Sequence, residues 1–257
     1  MPRLLVLPLL VIMILSSVPV RAGTKSREIR LDPQVALAAT KGVVEEHLAG
    51  ILRTARVIAV TPEARTARWE VVRPLLDRFA NDLATEATIW FALPDGRYFV
   101  TESGGVASQN LNDRPYFPRL FAGQEVFGDL VISRATGYRS VIVATPVIMN
   151  GKVVAAVGVS VRVDLLSKLV ESNTKLPAGV YFYALAPDTR IALHRHADRM
   201  FKTVSDVGDE KLGAAFIAIM NNDQGVFTYT LDGRNMISVF RKSTPLGWYF
   251  FIAKQRS

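Results

Sequence analysis

The sequence predicts an α+β protein in which a long N-terminal helix precedes two lobes, each an antiparallel sheet flanked by helices. Three observations carry this. Apolar residues between Leu37 and Leu83 recur mostly at three- and four-residue steps, the period of helices buried along one side. After Ala87 the pattern changes to short β-branched and aromatic runs separated by Pro-Asp, Asn-Gly and Asp-Gly turn signals. A strand ending in a Pro-Asp turn and an arginine occurs twice, as Phe91-Ala92-Leu93-Pro94-Asp95-Gly96-Arg97 and as Tyr183-Ala184-Leu185-Ala186-Pro187-Asp188-Thr189-Arg190. Each copy is followed by a strand, a helix and a three-strand meander, the mark of a duplicated lobe.

The elements follow in order. Asp32 is placed to cap a helix and Pro33 suits its first position. Leu37, Val44, Leu48, Ile51, Ala55 and Ile58 form one stripe, which Pro62 interrupts. A second stripe carries Trp69, Val72, Leu76, Phe79 and Leu83, and Pro74 within it predicts a kink or break. Together these segments form a helical spine over 23–84, suited to covering a sheet or to packing on a second copy as a homodimer. The first lobe, 85–175, opens with a hairpin from Thr88 to Val100. A polar loop to Asn112 and a short helix over Tyr116–Ala122 follow. Strands are expected over Val126–Ile132, Arg139–Ile148 and Lys152–Val163, the last two joined by Asn150-Gly151, before Asp164 caps a helix. The second lobe, 176–257, repeats the plan: strands over Val180–Leu185 and Arg190–His194, a helix over Glu210–Met220, and strands over Val226–Leu231, Asn235–Phe240 and Trp248–Ala253.

Composition bounds the function. Hydrophobic residues make up 49% and charged residues 21%, which is globular material, and no cysteine is present, which removes disulfides, thiolate nucleophiles and thiolate metal sites. The formal charge of +8, from 31 Lys and Arg against 23 Asp and Glu, favours anionic partners. The basic residues are scattered rather than interleaved with aromatics, so a nucleic-acid partner is not expected. Met1-Pro2-Arg3, the apolar stretch Leu4–Val18 and the small-residue pattern Val20-Arg21-Ala22 read as a cleavable secretory signal over 1–22. The apolar stretch is short against the ~20 residues of a bilayer span, and an uncleaved anchor is the alternative. The expected location is the periplasm.

No signature of a hydrolase elbow, zinc protease, P-loop or dinucleotide fold is present, and an enzyme is not expected. His194 and His196 alternate on a strand and face one side, but with only His47 besides and no acidic cluster they do not make a metal site. No cofactor is expected.

Asn110-Leu111-Asn112-Asp113-Arg114-Pro115-Tyr116-Phe117, then Gly128-Asp129-Leu130-Val131-Ile132-Ser133, Thr136-Gly137, Ala144-Thr145-Pro146-Val147, Gly158-Val159 and the closing Gly247-Trp248-Tyr249 give the chain a family likeness. From about Asp32 to Lys254 it resembles the double Cache sensors, tandem PAS-like extracytoplasmic domains of kinases, chemoreceptors and cyclic-di-GMP enzymes. The resemblance implies that the first lobe holds the ligand. Carried over, Arg114 would grip a carboxylate through its planar fork. Tyr116 and Phe117 would wall the pocket, and Ser133, Thr136 and Tyr138 would approach the ligand. Thr145 and Ser160 could face the same cavity from later strands. Arg114 could instead order its loop by pairing with Asp113 or an acid elsewhere.

One departure from the family matters. Amino-acid-binding members carry Arg-x-Trp-Tyr and an aspartate for the ammonium; Pro115-Tyr116-Phe117 and Ser160 stand there instead. A buried ammonium without a partner carries a large penalty, so the expected ligand is a small carboxylate without an amine. With no output domain in view, the signal is expected to pass to a membrane-bound kinase, cyclase or chemoreceptor. The rival reading is a ligand-independent interaction or scaffold protein built on the same lobes.

Overall fold

The N-terminal helix begins where the sequence places it. In the computed structural model, which describes residues 32–256, α1 runs from Pro33 to Ala59, and the Asp32 carboxylate accepts the Gln34 backbone N–H at 2.7 Å. The predicted leader lies outside the described residues. All six stripe residues of α1 are buried, and the helix lies against the central strands of both sheets, so the stripe covers this chain's own core. No helix among the described residues is long and apolar enough to cross a membrane.

A single turn, α2 (Pro62–Arg65), leads into α3 (Trp69–Asp82), which Pro74 neither breaks nor ends. The reason is position. Pro74 is exposed, and the helical bond it cannot donate would have gone to Glu70, also exposed. The opposite face buries Trp69, Val72, Leu76 and Phe79, and Trp69 stacks on Phe99 with ring centroids 5.3 Å apart.

The first sheet is built from β1 (Ala87–Ala92), β2 (Tyr98–Val100), β3 (Gly105–Val106), β4 (Val126–Ile132), β5 (Arg139–Met149) and β6 (Lys152–Arg162), with the short helix α4 (Phe117–Phe121) before β4. Its order is β3-β2-β1-β6-β5-β4. Helix α5 (Val163–Thr174) follows directly. Asp164 does not cap it: Arg162 holds the cap position, and its guanidinium pairs with the Asp164 carboxylate at 2.8 and 3.1 Å. The second sheet comprises β7 (Val180–Leu185), β8 (Ile191–His194), β9 (Gln224–Leu231), β10 (Arg234–Lys242) and β11 (Tyr249–Gln255), in the order β8-β7-β11-β10-β9. A 3-10 turn (Ala197–Arg199), α6 (Val204–Val207) and α7 (Glu210–Ile219) connect β8 to β9.

The two sheets share one plan. In each, the first strand pairs with its hairpin partner on one side and with the last strand on the other. The repeated turn is alike in atomic detail. Asp95 accepts the backbone and Nε of Arg97 at 3.0 and 2.6 Å, and Asp188 accepts the same groups of Arg190 at 3.1 and 2.6 Å. The lobes are joined at a bulge in β4. Gly128 has a φ of +105°, and a Cβ there would lie 2.9 Å from the Leu246 carbonyl oxygen. The freed Gly128 carbonyl accepts the indole N–H of fully buried Trp248 at 2.9 Å.

His194 ends β8 at 6% exposure. The His196 backbone N–H donates to its Nδ1 at 2.8 Å, which puts the ring hydrogen on Nε2. Burial, then the nearby Arg199 and His196, with Arg195 adding to them and Asp198 opposing, push its pKa down from 6.5 to about 3. The folded protein therefore refuses a proton that the unfolded chain accepts. Stability from this group is complete above pH 6.5 and is lost as pH falls toward 3, by up to about 1.4 kcal/mol per unit. Urea melts at a series of pH values should show a shallower acid decline for His194→Gln than for the parent; superimposable curves would refute the assignment.

Candidate ligand site in the first lobe

Alternation along the strands decides what each face of the first sheet carries. Ile89, Phe91, Val141, Val143, Val157, Val159 and Val161 enter the core that α1 covers. Trp90, Ile142, Ala144 and Ala156 enter a second, smaller core under the Asn110–Phe121 segment. The start of that segment is tied down from two sides. The Leu111 N–H donates to the Gly96 carbonyl at 2.9 Å and the Asn110 amide to the Asp95 carbonyl at 3.0 Å. On the other side Arg134, in the β4–β5 turn, grips Asp113 with two bonds of 2.6 Å and also reaches the Asn110 carbonyl. The Arg134 guanidinium holds the Asp113 carboxyl below its ordinary range.

Arg114 is consequently not the partner of Asp113. Its Nη2 donates to the Ile132 carbonyl at 2.7 Å, and its Nε is buried without a partner. It lines a hollow with Thr88, Trp90, Tyr98, Tyr116 and Ser133. Ser160 and Arg134 complete the polar lining, and no acidic side chain is among the residues that line it. Burial pushes the Tyr116 and Tyr98 hydroxyls up, against the pull of Arg114, so both remain neutral donors.

Four of the expected site residues thus converge: Arg114, Tyr116, Ser133 and Ser160. The other four do not line the hollow. Phe117 packs on Phe121 with centroids 4.4 Å apart. Thr136 is exposed, its backbone N–H resting on Ser133 Oγ at 3.3 Å. Tyr138 is 45% exposed and lies 3.9 Å from the Arg162 guanidinium in a cation–π contact. Thr145 shares a face with Val157, toward α1, and its hydroxyl meets Glu125 at 3.2 Å. Glu125 is itself paired with Arg56 of α1 at 2.6 Å.

The residue that dominates the hollow is Trp90, which the sequence reading did not single out. It lies opposite Gly158 in register, and its ring covers that position so closely that a Cβ on Gly158 would sit 2.0 Å from the indole. The Trp90 N–H donates to Ser160 Oγ at 3.2 Å, and its ring lies 6.4 Å from that of Tyr116. The space left has a volume of about 20 Å³, room for a single water.

No protein-family model matches the chain, and no curated protein matches it. Solved structures do. The ligand-binding domain of the Pseudomonas aeruginosa amino acid chemoreceptor PctB, in complex with L-Arg, superposes with a TM-score of 0.70 at 20% identity, over 87% of this chain and 86% of that one. The ligand-binding domain of the Pseudomonas fluorescens chemoreceptor CtaA with L-isoleucine gives 0.66 at 15% identity, over 87% and 90%. The sensory domain of the Campylobacter jejuni chemoreceptor Tlp3 (CcmL) with isoleucine gives 0.65 at 13%, over 87% and 91%. At these identities the likeness speaks to architecture: this chain has the mixed α+β fold of Cache/PAS-like chemoreceptor ligand-binding domains, a long N-terminal helix followed by two antiparallel sheets.

Proposed function

We propose that the protein is an extracytoplasmic small-molecule sensor that takes a small, amine-free carboxylate beside Arg114 in its first lobe. The observation that carries this is the charge pattern of the hollow. Asp113 neutralises Arg134, whereas Arg114 meets only a backbone carbonyl, with neutral hydroxyl groups opposite and no acid. A carboxylate would find donors there, and an ammonium would find no carboxylate. The neighbours named above were solved with amino acids; this chain has Ser160 bound to the Trp90 indole where an ammonium partner is expected. Entry of an organic acid requires Trp90 or the Asn110–Phe121 segment to move, so the ligand selects an open form at the expense of the closed one. The leader reading places the protein in the periplasm, exported or anchored, and a membrane-bound kinase, cyclase or chemoreceptor is the partner that would read the change.

A second reading has an observation of its own. Trp90 fills the hollow, as it would in a ligand-independent docking module. A thermal-shift series with acetate, pyruvate, succinate and malate, and with glycine and alanine as amine-bearing controls, separates the two. At a hundredfold excess over Kd a bound acid adds about 2.7 kcal/mol of stability. At least one acid is expected to raise Tm in the parent and not in Arg114→Ala, with the amino acids inert. Silence from every acid, or shifts indifferent to Arg114→Ala, would leave the docking reading in possession.

A further inference from the structure

The second lobe contains a larger hollow that the first-lobe site does not involve. It lies between the sheet face formed by β7–β10 and the helices α6 and α7, with a volume of about 160 Å³. Its size is the first clue: an apolar cavity of about 150 Å³ is enough to take up benzene.

Its chemistry is graded from wall to mouth. Val204, Leu212, Phe216 and Met236 make an apolar wall. Beside Phe216 and Met236 the Tyr183 and Tyr229 hydroxyls lie 3.2 Å apart and share one hydrogen bond. His194 lines the hollow with Nδ1 already occupied by the His196 N–H, and its Nε2 hydrogen has no partner among the described residues. Arg199, Arg234 and Asp232 are the charged groups that line it. Among the described residues the Arg199 guanidinium is held only by a 3.3 Å contact to Asp232, whose side chain is 66% exposed, a weak and replaceable attachment. Two guanidiniums against one carboxylate leave the lining positive.

We propose that this second-lobe hollow binds a small monocarboxylate with an aromatic or branched aliphatic body, the body against Phe216 and the carboxylate shared by Arg199 and the Nε2–H of His194. The apolar wall rejects di- and tricarboxylates, whose second charge would be stranded there.

Benzoate is the probe, measured by titration calorimetry on the whole protein, with benzyl alcohol as its uncharged counterpart. Benzoate is expected to bind at least tenfold more tightly than benzyl alcohol. Arg199→Gln should weaken it about tenfold or more, the value of a charged hydrogen bond. Val207→Phe, which fills the hollow, should abolish binding. Arg114→Ala should leave it unchanged, so this site and the first-lobe site fail separately. A crystal of the parent grown with benzoate gives an answer independent of how the variants fold: density between Phe216 and Arg199 supports the proposal. No benzoate binding by the parent, binding lost in Arg114→Ala but kept in Arg199→Gln, equal affinity for benzyl alcohol, or benzoate density elsewhere alone would each overturn it.

Discussion

Trp248→Ala is expected to lower the unfolding free energy by about 3–5 kcal/mol, the range for removing a large aromatic side chain from a packed interior. Trp248 is fully buried, immediately precedes the last strand of the second sheet and bonds across the lobe boundary to the Gly128 carbonyl at 2.9 Å. Its loss removes apolar packing and leaves a buried carbonyl without its donor. Trp248→Phe separates the two effects. It keeps most of the ring and loses the N–H, so it should cost about 1–3 kcal/mol. Chemical denaturation read by circular dichroism measures both. An alanine variant within about 1 kcal/mol of the parent would mean that the two lobes do not lean on this contact.

Trp90→Ala should cost a similar ~3–5 kcal/mol, and it offers a sharper test through its neighbour. Gly158→Ala in the parent places a methyl group 2.0 Å from the indole, an overpacking expected to cost about 1–3 kcal/mol or more. With the indole gone the same change should become neutral or slightly stabilising, since alanine restricts the unfolded chain more than glycine does. The two substitutions must therefore be strongly non-additive. Additive effects would show that the ring does not occupy the space over Gly158. The double variant also enlarges the first-lobe hollow, where an acid that now requires Trp90 to move should bind more readily.

Local features were the readable ones. The Asp32-Pro33 start, the α1 stripe, the Pro-Asp turns and the succession of strands and helices along each lobe are written in spacings of a few residues, and each stands in the structure. What escaped the sequence depends on long-range register. A hairpin counted without interruption from Asn150-Gly151 sets Thr145 opposite Ala156 and Ser160 opposite Val141, which puts Thr145 and Ser160 on one face. A bulge after Val147 and Ile148 inserts Val154, so that Thr145 pairs with Val157 and Ser160 with Ile142, and the two hydroxyls part to opposite faces. Arg134 was invisible for a related reason. Its claim on Asp113, 21 positions earlier, exists only once the β4–β5 turn is folded back beside the loop. Trp90 and Gly158 likewise meet only as cross-strand partners. Pro74 failed as a helix breaker because the sheet, not helix propensity, holds α3 in place.

The single helix α1, 27 residues and therefore roughly 40 Å long, touches the central strands of both sheets with one stripe. Ownership of that rod cannot be divided. A cut between the lobes would strand an oily trough on whichever half lost it, and each fragment would be driven to find another apolar surface. Excision, circular permutation and lobe exchange in this protein therefore meet an obstacle that is absent wherever each lobe brings its own covering helix.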